Sequence, residues 1–134
     1  MRRDMEYCRK LLLNFSAGVY EKVIPKYDQF SLSSPYSEED QINGEKYILH
    51  IKLLKDGGFI NAAISENISE YYVMHSCPSL TWDGNDYLDK IENDTVWEKT
   101  KDTLKEKGLE IAKVPLNIIS EIATKEFKRF LGVD

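Results

Sequence analysis

The sequence predicts an α+β fold that is mainly helical. Apolar residues recur at helical spacing in several segments of the 134-residue chain, and two short apolar runs near its middle have the length of strands. Glycines and prolines separate these segments. With 42% hydrophobic and 31% charged residues, the composition is that of one ordinary globular domain. The predicted order is a helix, a long connection, two helices, a β-hairpin and three further helices.

The N-terminal helix is predicted to begin after Asp4 and to run to about Phe15, because the Asp4 carboxylate can accept hydrogen bonds from the first free backbone amides. Residues 16–35 show no helical period and contain two prolines. They are therefore predicted to form a long connection with one short strand at residues 20–24. The apolar face of the helix would consist of Met5, Cys8, Leu12 and Phe15.

Two helices separated by a turn are predicted next. Residues 37–40 have the composition of a helix start, but Asn43 and Gly44 interrupt the pattern. Asn43 is then the expected N-cap of a second helix over residues 44–56. Gly57 and Gly58 would end this helix, because a glycine supplies the positive φ that a helix C-cap needs.

A β-hairpin and three helices complete the predicted order. The hairpin pairs a strand at residues 59–64 with a strand at residues 71–75. The following helices are one over residues 82–91 capped by Thr81, one that begins with a capping box at Thr95 and Glu98 and stops at Gly108, and one between Pro115 and Gly132.

This order is the layout of a winged helix-turn-helix domain. Residues 1–94 would form that domain, and residues 95–134 would form a C-terminal helical extension that packs on it or dimerises. In a DNA-binding domain of this type, the helix over residues 44–56 would enter the major groove, and the hairpin would be the wing.

Several short segments together resemble one known family. They are Met1-Arg2-Arg3-Asp4-Met5, residues 47–60, the step at residues 80–88, the segment at residues 94–99, and Ala123-Thr124-Lys125 followed by Leu131-Gly132. The combination resembles the uncharacterised bacterial and phage family called domain of unknown function 2513. The resemblance implies a winged-helix-like fold, and it brings neither a settled activity nor a catalytic motif.

The charge pattern bears on DNA binding. The net charge is −5, and residues 58–94 contain one basic and seven acidic side chains, so the deficit lies on the predicted wing and the helix after it. Negative charge works against phosphate binding. The first functional interpretation is nevertheless a small cytoplasmic transcriptional regulator that binds double-stranded DNA. Lys46 and Lys52 would contact bases or backbone from the predicted recognition helix, while Arg2, Arg3 and Lys10 would contact phosphates.

The alternative interpretation is a winged-helix adaptor that binds another protein and not DNA. Ile48, Leu49 and Leu53 are predicted to form an apolar stripe on the outward face of the helix over residues 44–56, beside the acidic wing. The last helix suggests a homodimer through residues 115–131, because its apolar face is wider than one neighbour would cover. The residues that widen it are Ile118, Ile122 and Leu131.

Enzymatic and metal-binding functions have little support in the sequence. His50, His75, Cys8 and Cys77 are the only soft metal ligands, they are scattered, and a structural zinc site needs four. No catalytic or cofactor-binding motif is present, so neither an enzyme nor a cofactor is expected. No apolar run of about 18 residues occurs, and the N-terminus lacks the apolar core of a signal peptide, which predicts a cytoplasmic protein without a membrane span.

Three conspicuous side chains have structural interpretations. His50 is predicted to pack beside the N-terminal helix. Trp82 and Trp97 occur at helical spacing with Leu88 and Leu104, which predicts that both indole rings lie in the core.

Overall fold

The computed structural model describes residues 2–27, 34–66 and 70–133, and it confirms a mainly helical α+β fold. A short 3-10 helix at Ile111–Lys113 precedes the last α-helix. The α-helices of the described residues are α1 (Met5–Ser16), α2 (Glu38–Asp56), α3 (Trp82–Ile91), α4 (Asp94–Glu106) and α5 (Leu116–Leu131).

The strands form two small antiparallel groups. They are β1 (Val23–Pro25), β2 (Ile60–Asn61), β3 (Ile64–Glu66), β4 (Tyr71–Met74) and β5 (Ser79–Leu80). In one group β4 lies between β1 and β3, and in the other β2 pairs with β5. The predicted strand at residues 59–64 is therefore wrong in extent, because its first half pairs with β5 and its end belongs to β3. The tip of the predicted hairpin at residues 67–69 lies outside the described residues.

The two helices predicted around Asn43 and Gly44 are a single helix. Ser37 caps α2 by accepting a hydrogen bond from the Asp40 amide, and the helix continues through Gly44. Gly44 is buried against β1, where an added Cβ would lie 2.1 Å from the Pro25 carbonyl oxygen. The glycine allows two backbones to approach closely, so the prediction that it breaks the helix is wrong. Residues 28–33 of the predicted long connection lie outside the described residues, and β1 begins three residues later than predicted.

Most predicted helix ends are confirmed. The Asp4 and Thr81 side chains cap α1 and α3, and Gly132 ends α5 in the left-handed conformation with φ 75°. The capping box at Thr95 is wrong, because the Asn93 side chain accepts hydrogen bonds from the Thr95 and Val96 amides and starts α4 two residues earlier.

The buried apolar side chains of α1 to α5 form one core cluster. Trp97 lies in it at 1% exposure, so α4 is anchored in the same core as α1. Trp82 is 87% exposed, which makes the predicted core position wrong for this residue. It is the first residue of α3, and the side that packs inward is occupied by Gly84, whose added Cβ would lie 1.9 Å from the Phe59 carbonyl oxygen.

Candidate interaction surfaces

The outward face of α2 carries a row of apolar side chains. Ile42 is 45% exposed, and Leu49 and Leu53 are half-buried. Their spacing of seven and four residues places them along one side of the helix over about 16 Å, at 1.5 Å per residue. We call these three residues the α2 row. The residues of α2 that face the core are Gln41, Gly44, Tyr47, Ile48, His50, Ile51 and Leu54.

Ile48 does not belong to the exposed stripe predicted for this helix. It is only 2% exposed and lies in the core, so its assignment to a protein interface is wrong. The error follows from the predicted helix start at residue 44. Without the first two turns of α2, the direction of its buried face was assigned wrongly.

Lys46, a predicted DNA contact, is engaged within the fold. Its Nζ lies 3.3 Å from Asp4 Oδ2 and 4.5 Å from the centroid of the Tyr7 ring. Burial works to raise the pKa of the Asp4 carboxyl, but hydrogen bonds from the Tyr7 amide and from Lys46 outweigh it and hold the pKa below the ordinary value of 3.8. Asp4 is therefore charged at neutral pH and offsets the charge of Lys46.

Lys52, the second predicted DNA contact from this helix, is exposed beside the sheet. Its Nζ lies 5.9 Å from the centroid of the Tyr72 ring, and Lys26 lies 5.7 Å from the same ring. Lys26 forms an ion pair with Glu66, and the Tyr72 hydroxyl donates to Glu45 at 3.2 Å. Two cations and two carboxylates therefore surround one ring, and the local charge is balanced.

The basic residues near the N-terminus divide into two kinds. The Arg3 guanidinium donates to the backbone carbonyls of Ile111, Ala112 and Val114, which lie between α4 and α5. Arg3 thus ties the start of α1 to the segment between α4 and α5. Arg2 and Lys10 are exposed, so these two are the predicted phosphate contacts that remain on the surface.

His50 packs beside α1, as predicted, and its side chain is hydrogen-bonded to the start of that helix. It is fully buried, its Nε2 accepts from the Asp4 amide at 2.8 Å, and its Nδ1 lies 2.7 Å from the Lys46 carbonyl oxygen. Because the Asp4 amide is a donor, Nε2 must be unprotonated, and Nδ1 carries the proton that goes to Lys46. The Tyr7 ring contacts the imidazole edge to face, with 4.8 Å between centroids.

A groove of about 280 Å³ lies between α3, α5 and the turn that follows α2. Phe59 and Tyr87 form an aromatic pair in its wall, with ring centroids 5.2 Å apart. Asp83 and Asp86 line the α3 side of the groove, which makes it acidic. Gly57, Leu116, Asn117 and Ser120 complete the lining.

The three α5 residues predicted at a dimer interface lie in different surroundings. Leu131 is 56% exposed and Ile118 is 36% exposed, whereas Ile122 is half-buried and packs against the core. The apolar width of α5 is therefore partly covered by its own chain. What remains exposed is concentrated at the C-terminal end, where Phe130 and Val133 are 47% and 51% exposed.

Within the ranges that the structure describes, no three His, Cys, Asp or Glu side chains are grouped so that they could hold a metal ion. Cys8 is buried, and burial raises the pKa of its thiol to about 11, which keeps it protonated and unreactive. Among the described helices, none combines the length and the apolar composition that a membrane crossing needs.

Ile42 and Trp82 are among the exposed apolar residues that the sequence did not place on the surface. Ile42 was overlooked because Asn43-Gly44 was taken as a break; continuing the helical period back to Ser37 would have placed Ile42 seven residues before Leu49. Trp82 carries no such signal in the sequence, because its exposure depends on how α3 packs against Phe59 through Gly84.

Comparison with known proteins identifies relatives along nearly the whole chain. The family described as hypothetical protein DUF2513 matches residues 2–110. An uncharacterized protein of Haemophilus influenzae Rd is 37% identical over 132 residues, which cover 98% of this chain and all of the relative. No solved structure matches.

Proposed function

The chain belongs to the DUF2513 family, and we propose that it is a protein-binding module that docks a partner along the α2 row. The observation that supports this function is the α2 row itself, in which Ile42 is 45% exposed and Leu49 and Leu53 are half-buried. Ile42, Leu49 and Leu53 lie outside the core cluster and on the opposite side of α2 from Tyr47, Ile51 and Leu54. Apolar side chains that stay partly exposed along one side of a helix are typical of an interface.

The charges around α2 favour a protein over a nucleic acid. A helix that reads DNA contacts bases with its N-terminal residues, but the first turn of α2 carries Glu38, Glu39 and Asp40. These carboxylates would face phosphates. Lys46, which could compensate, is already paired with Asp4. The net charge of −5 adds to the unfavourable electrostatic term.

The chemistry of the α2 row defines the partner. A partner helix with apolar residues at positions i, i+4 and i+11, or at the reverse spacing, would match Leu53, Leu49 and Ile42. Glu45 and Lys52 flank the row on one side. The partner is therefore expected to be amphipathic, with charges of both signs beside its apolar positions, and to bury the leucines at the centre of the contact.

Site-specific cross-linking tests this function. A photoreactive phenylalanine analogue at position 49 is expected to form a covalent adduct with one protein in the native host cells. The same analogue at Leu109, which is 43% exposed after α4, serves as the control. The adduct identifies a protein that is then purified for a direct titration.

The titration decides between a specific interface and a chance contact. Leu49→Asp with Leu53→Asp is expected to weaken binding of the purified partner by about a hundredfold or more, because carboxylates would replace apolar contacts at the centre of the interface. Leu109→Asp is expected to leave the affinity unchanged. Equal affinity for the double variant would contradict the proposal.

DNA binding is the second candidate, and the strand order favours it. α2 packs against a sheet in which β4 lies between β1 and β3, which is the order expected of a winged helix. If DNA binds, Lys46→Ala with Lys52→Ala should weaken binding to a random-sequence duplex and reduce its salt dependence. A titration without binding at 50 mM salt would rule out DNA binding. Tight binding that depends on both lysines would instead replace the protein-binding proposal.

A further inference from the structure

We propose that a second copy of this chain packs against α5 in the antiparallel direction and inserts its Lys128 into the acidic groove between α3 and α5. Each copy would then complete the groove of the other. This interface lies on a different helix from the α2 row and is independent of the partner proposed for that row.

One side of α5 has the residue pattern of a helix-packing seam. Asn117, Ser120, Thr124, Phe127 and Leu131 follow one another at intervals of three and four residues, which places them on one face and repeats every seven positions. Its centre is narrow, because Ser120 and Thr124 are small. The Thr124 hydroxyl donates to the Ser120 carbonyl at 2.8 Å, so this polar group is satisfied within the helix and does not need a partner across the seam.

The same side of α5 borders the acidic groove. Asn117 and Ser120 line the groove together with Asp83 and Asp86 of α3. Asp86 pairs with Lys90 at 3.2 Å, whereas Asp83 forms no ion pair with any residue that the structure describes. Carboxylates beside aromatic rings suit a cation, since both the negative charge and the ring faces attract it.

The cation that we place in the acidic groove comes from the C-terminal half of α5. Lys128 is exposed, follows Phe127 of the seam, and forms no ion pair within the described part of the chain. α5 has 16 residues and is about 24 Å long. The groove therefore lies beside the N-terminal half of the helix, while Lys128 lies near its C-terminal end, too far along the same helix to reach the groove of its own chain.

A two-fold axis through the middle of α5 brings the two halves together. In an antiparallel pair, the C-terminal half of one helix runs beside the N-terminal half of the other, so each Lys128 meets the other copy's groove. The contact occurs twice and closes, which limits the assembly to a dimer. Charge complementarity thus selects a second copy, because the cation and the acidic groove are both present on one chain in the required opposite halves.

Exposed apolar residues lie where this arrangement would cover them. Leu131, the last residue of the seam, is 56% exposed, and Trp82, which precedes the groove residue Asp83 at the start of α3, is 87% exposed. The antiparallel pairing places the apolar end of one α5 next to the Trp82 end of the other copy's α3. Aromatic and aliphatic side chains at the rim of a charged contact provide the apolar part of an interface.

Charge exchange between two variants tests the proposal. Sedimentation velocity of the full chain at about 100 μM should show a dimer whose dissociation constant rises with salt. Lys128→Glu in one variant and Asp83→Lys with Asp86→Lys in another should each raise the dissociation constant about tenfold or more, because like charges would then face each other. An equimolar mixture of the two variants should form a heterodimer, since both contacts regain opposite charges.

The control is Lys99→Glu on the exposed side of α4, which should leave the dimer unchanged. Circular dichroism of each variant must show the wild-type helix content, and the mixture provides a second check because a misfolded variant would not regain assembly. A monomeric wild-type chain at 100 μM, a dimer that is insensitive to both charge reversals, or a mixture that does not associate would each overturn the proposal.

Discussion

The basic side chains around α1 and the outward face of α2 differ in how far the fold covers them. The Arg9 side chain of α1 donates to the Ile91 and Glu92 carbonyls and to Asp94, and Arg3, just before the helix, donates to three carbonyls near residue 112. The outward face of α2 instead presents Ile42, Leu49 and Leu53. Arg3 and Arg9 therefore hold the fold together, whereas the outward face of α2 keeps three apolar side chains partly exposed.

This difference arises because the free carbonyl groups at a helix end need hydrogen-bond donors, which basic side chains supply. α3 ends at Ile91, and its last carbonyls have no partner within the helix. The Arg9 guanidinium satisfies two of them, is favoured there by the helix dipole, and pairs with Asp94 at 2.6 Å. A count of basic residues in the sequence therefore overestimates the charge that is available for phosphates.

The largest expected effect concerns the inward face of α2. Gly44→Ala should lower the free energy of unfolding by about 3 kcal/mol, because the new Cβ would lie 2.1 Å from a backbone oxygen that cannot move without displacing β1. Chemical denaturation measures this change. Asn43→Ala, at the exposed neighbouring position, is the control and should change stability by less than about 0.5 kcal/mol. Equal stability of both variants would mean that α2 does not approach β1 this closely.

The second effect tests the structural role of Arg9. Arg9→Ala should cost about 2 kcal/mol, since the carbonyls at the end of α3 would lose charge-assisted hydrogen bonds. Lys10→Ala removes a neighbouring exposed charge and should have little effect on unfolding. A larger loss for Lys10 than for Arg9 would contradict the division between structural and free cations.

The third effect depends on pH. For the Glu6 carboxyl, burial works to raise the pKa, but hydrogen bonds from Lys101 and the Trp97 indole hold the pKa below the ordinary value of 4.5. A lowered pKa in the folded state stabilises the fold above the ordinary pKa, and this contribution is lost as the pH falls through the lowered value.

Glu6→Gln keeps an acceptor for the Trp97 N–H but removes the charge. It should therefore reduce stability at pH 7 by less than about 1 kcal/mol, because the carboxylate is partly exposed, and it should weaken the loss of stability between pH 5 and pH 3. Thermal unfolding across this range measures both effects. Glu98→Gln, which removes an exposed partner of the same lysine, is the control. If the unfolding temperature of Glu6→Gln fell between pH 5 and pH 3 as it does in the wild type, this role of Glu6 would be contradicted.

The smallest expected effect on stability concerns the α2 row. Ile42→Gln with Leu49→Gln should change the free energy of unfolding by less than about 1 kcal/mol, while it removes binding of the partner. Ile48→Gln, one residue before Leu49, should cost about 3 kcal/mol or more because it places an amide in the core. Similar losses for the two variants would show that the chain itself covers the α2 row.

The parts of the fold that depend on local sequence were predictable. Asp4, Thr81 and Gly132 act within one helix turn, and each was recognised from its residue type and position. Gly44 was misinterpreted because its role depends on the Pro25 carbonyl of another element. No pattern within a single segment reports such an approach.

The candidate surfaces were predictable only in part, for the same reason. Leu49 and Leu53 follow from helical periodicity, but the burial of Ile48 requires the true start of α2. The engagement of Lys46 depends on Asp4, 42 residues earlier in the chain. Whether a charged side chain is available to a ligand is decided by contacts between distant segments, and these become visible only in the folded chain.

The bonds from Arg3 to the backbone at residues 111–114 have a consequence for biosynthesis. On the ribosome the N-terminal helix emerges first, yet its anchoring partners, including Trp97, are among the later residues to be translated. Until they are made, Arg3 and Glu6 lack the hydrogen-bond partners that they have in the folded chain. The contacts that hold the start of α1 are therefore expected to form late, and a chain cut before residue 111 would lack the carbonyls to which Arg3 donates.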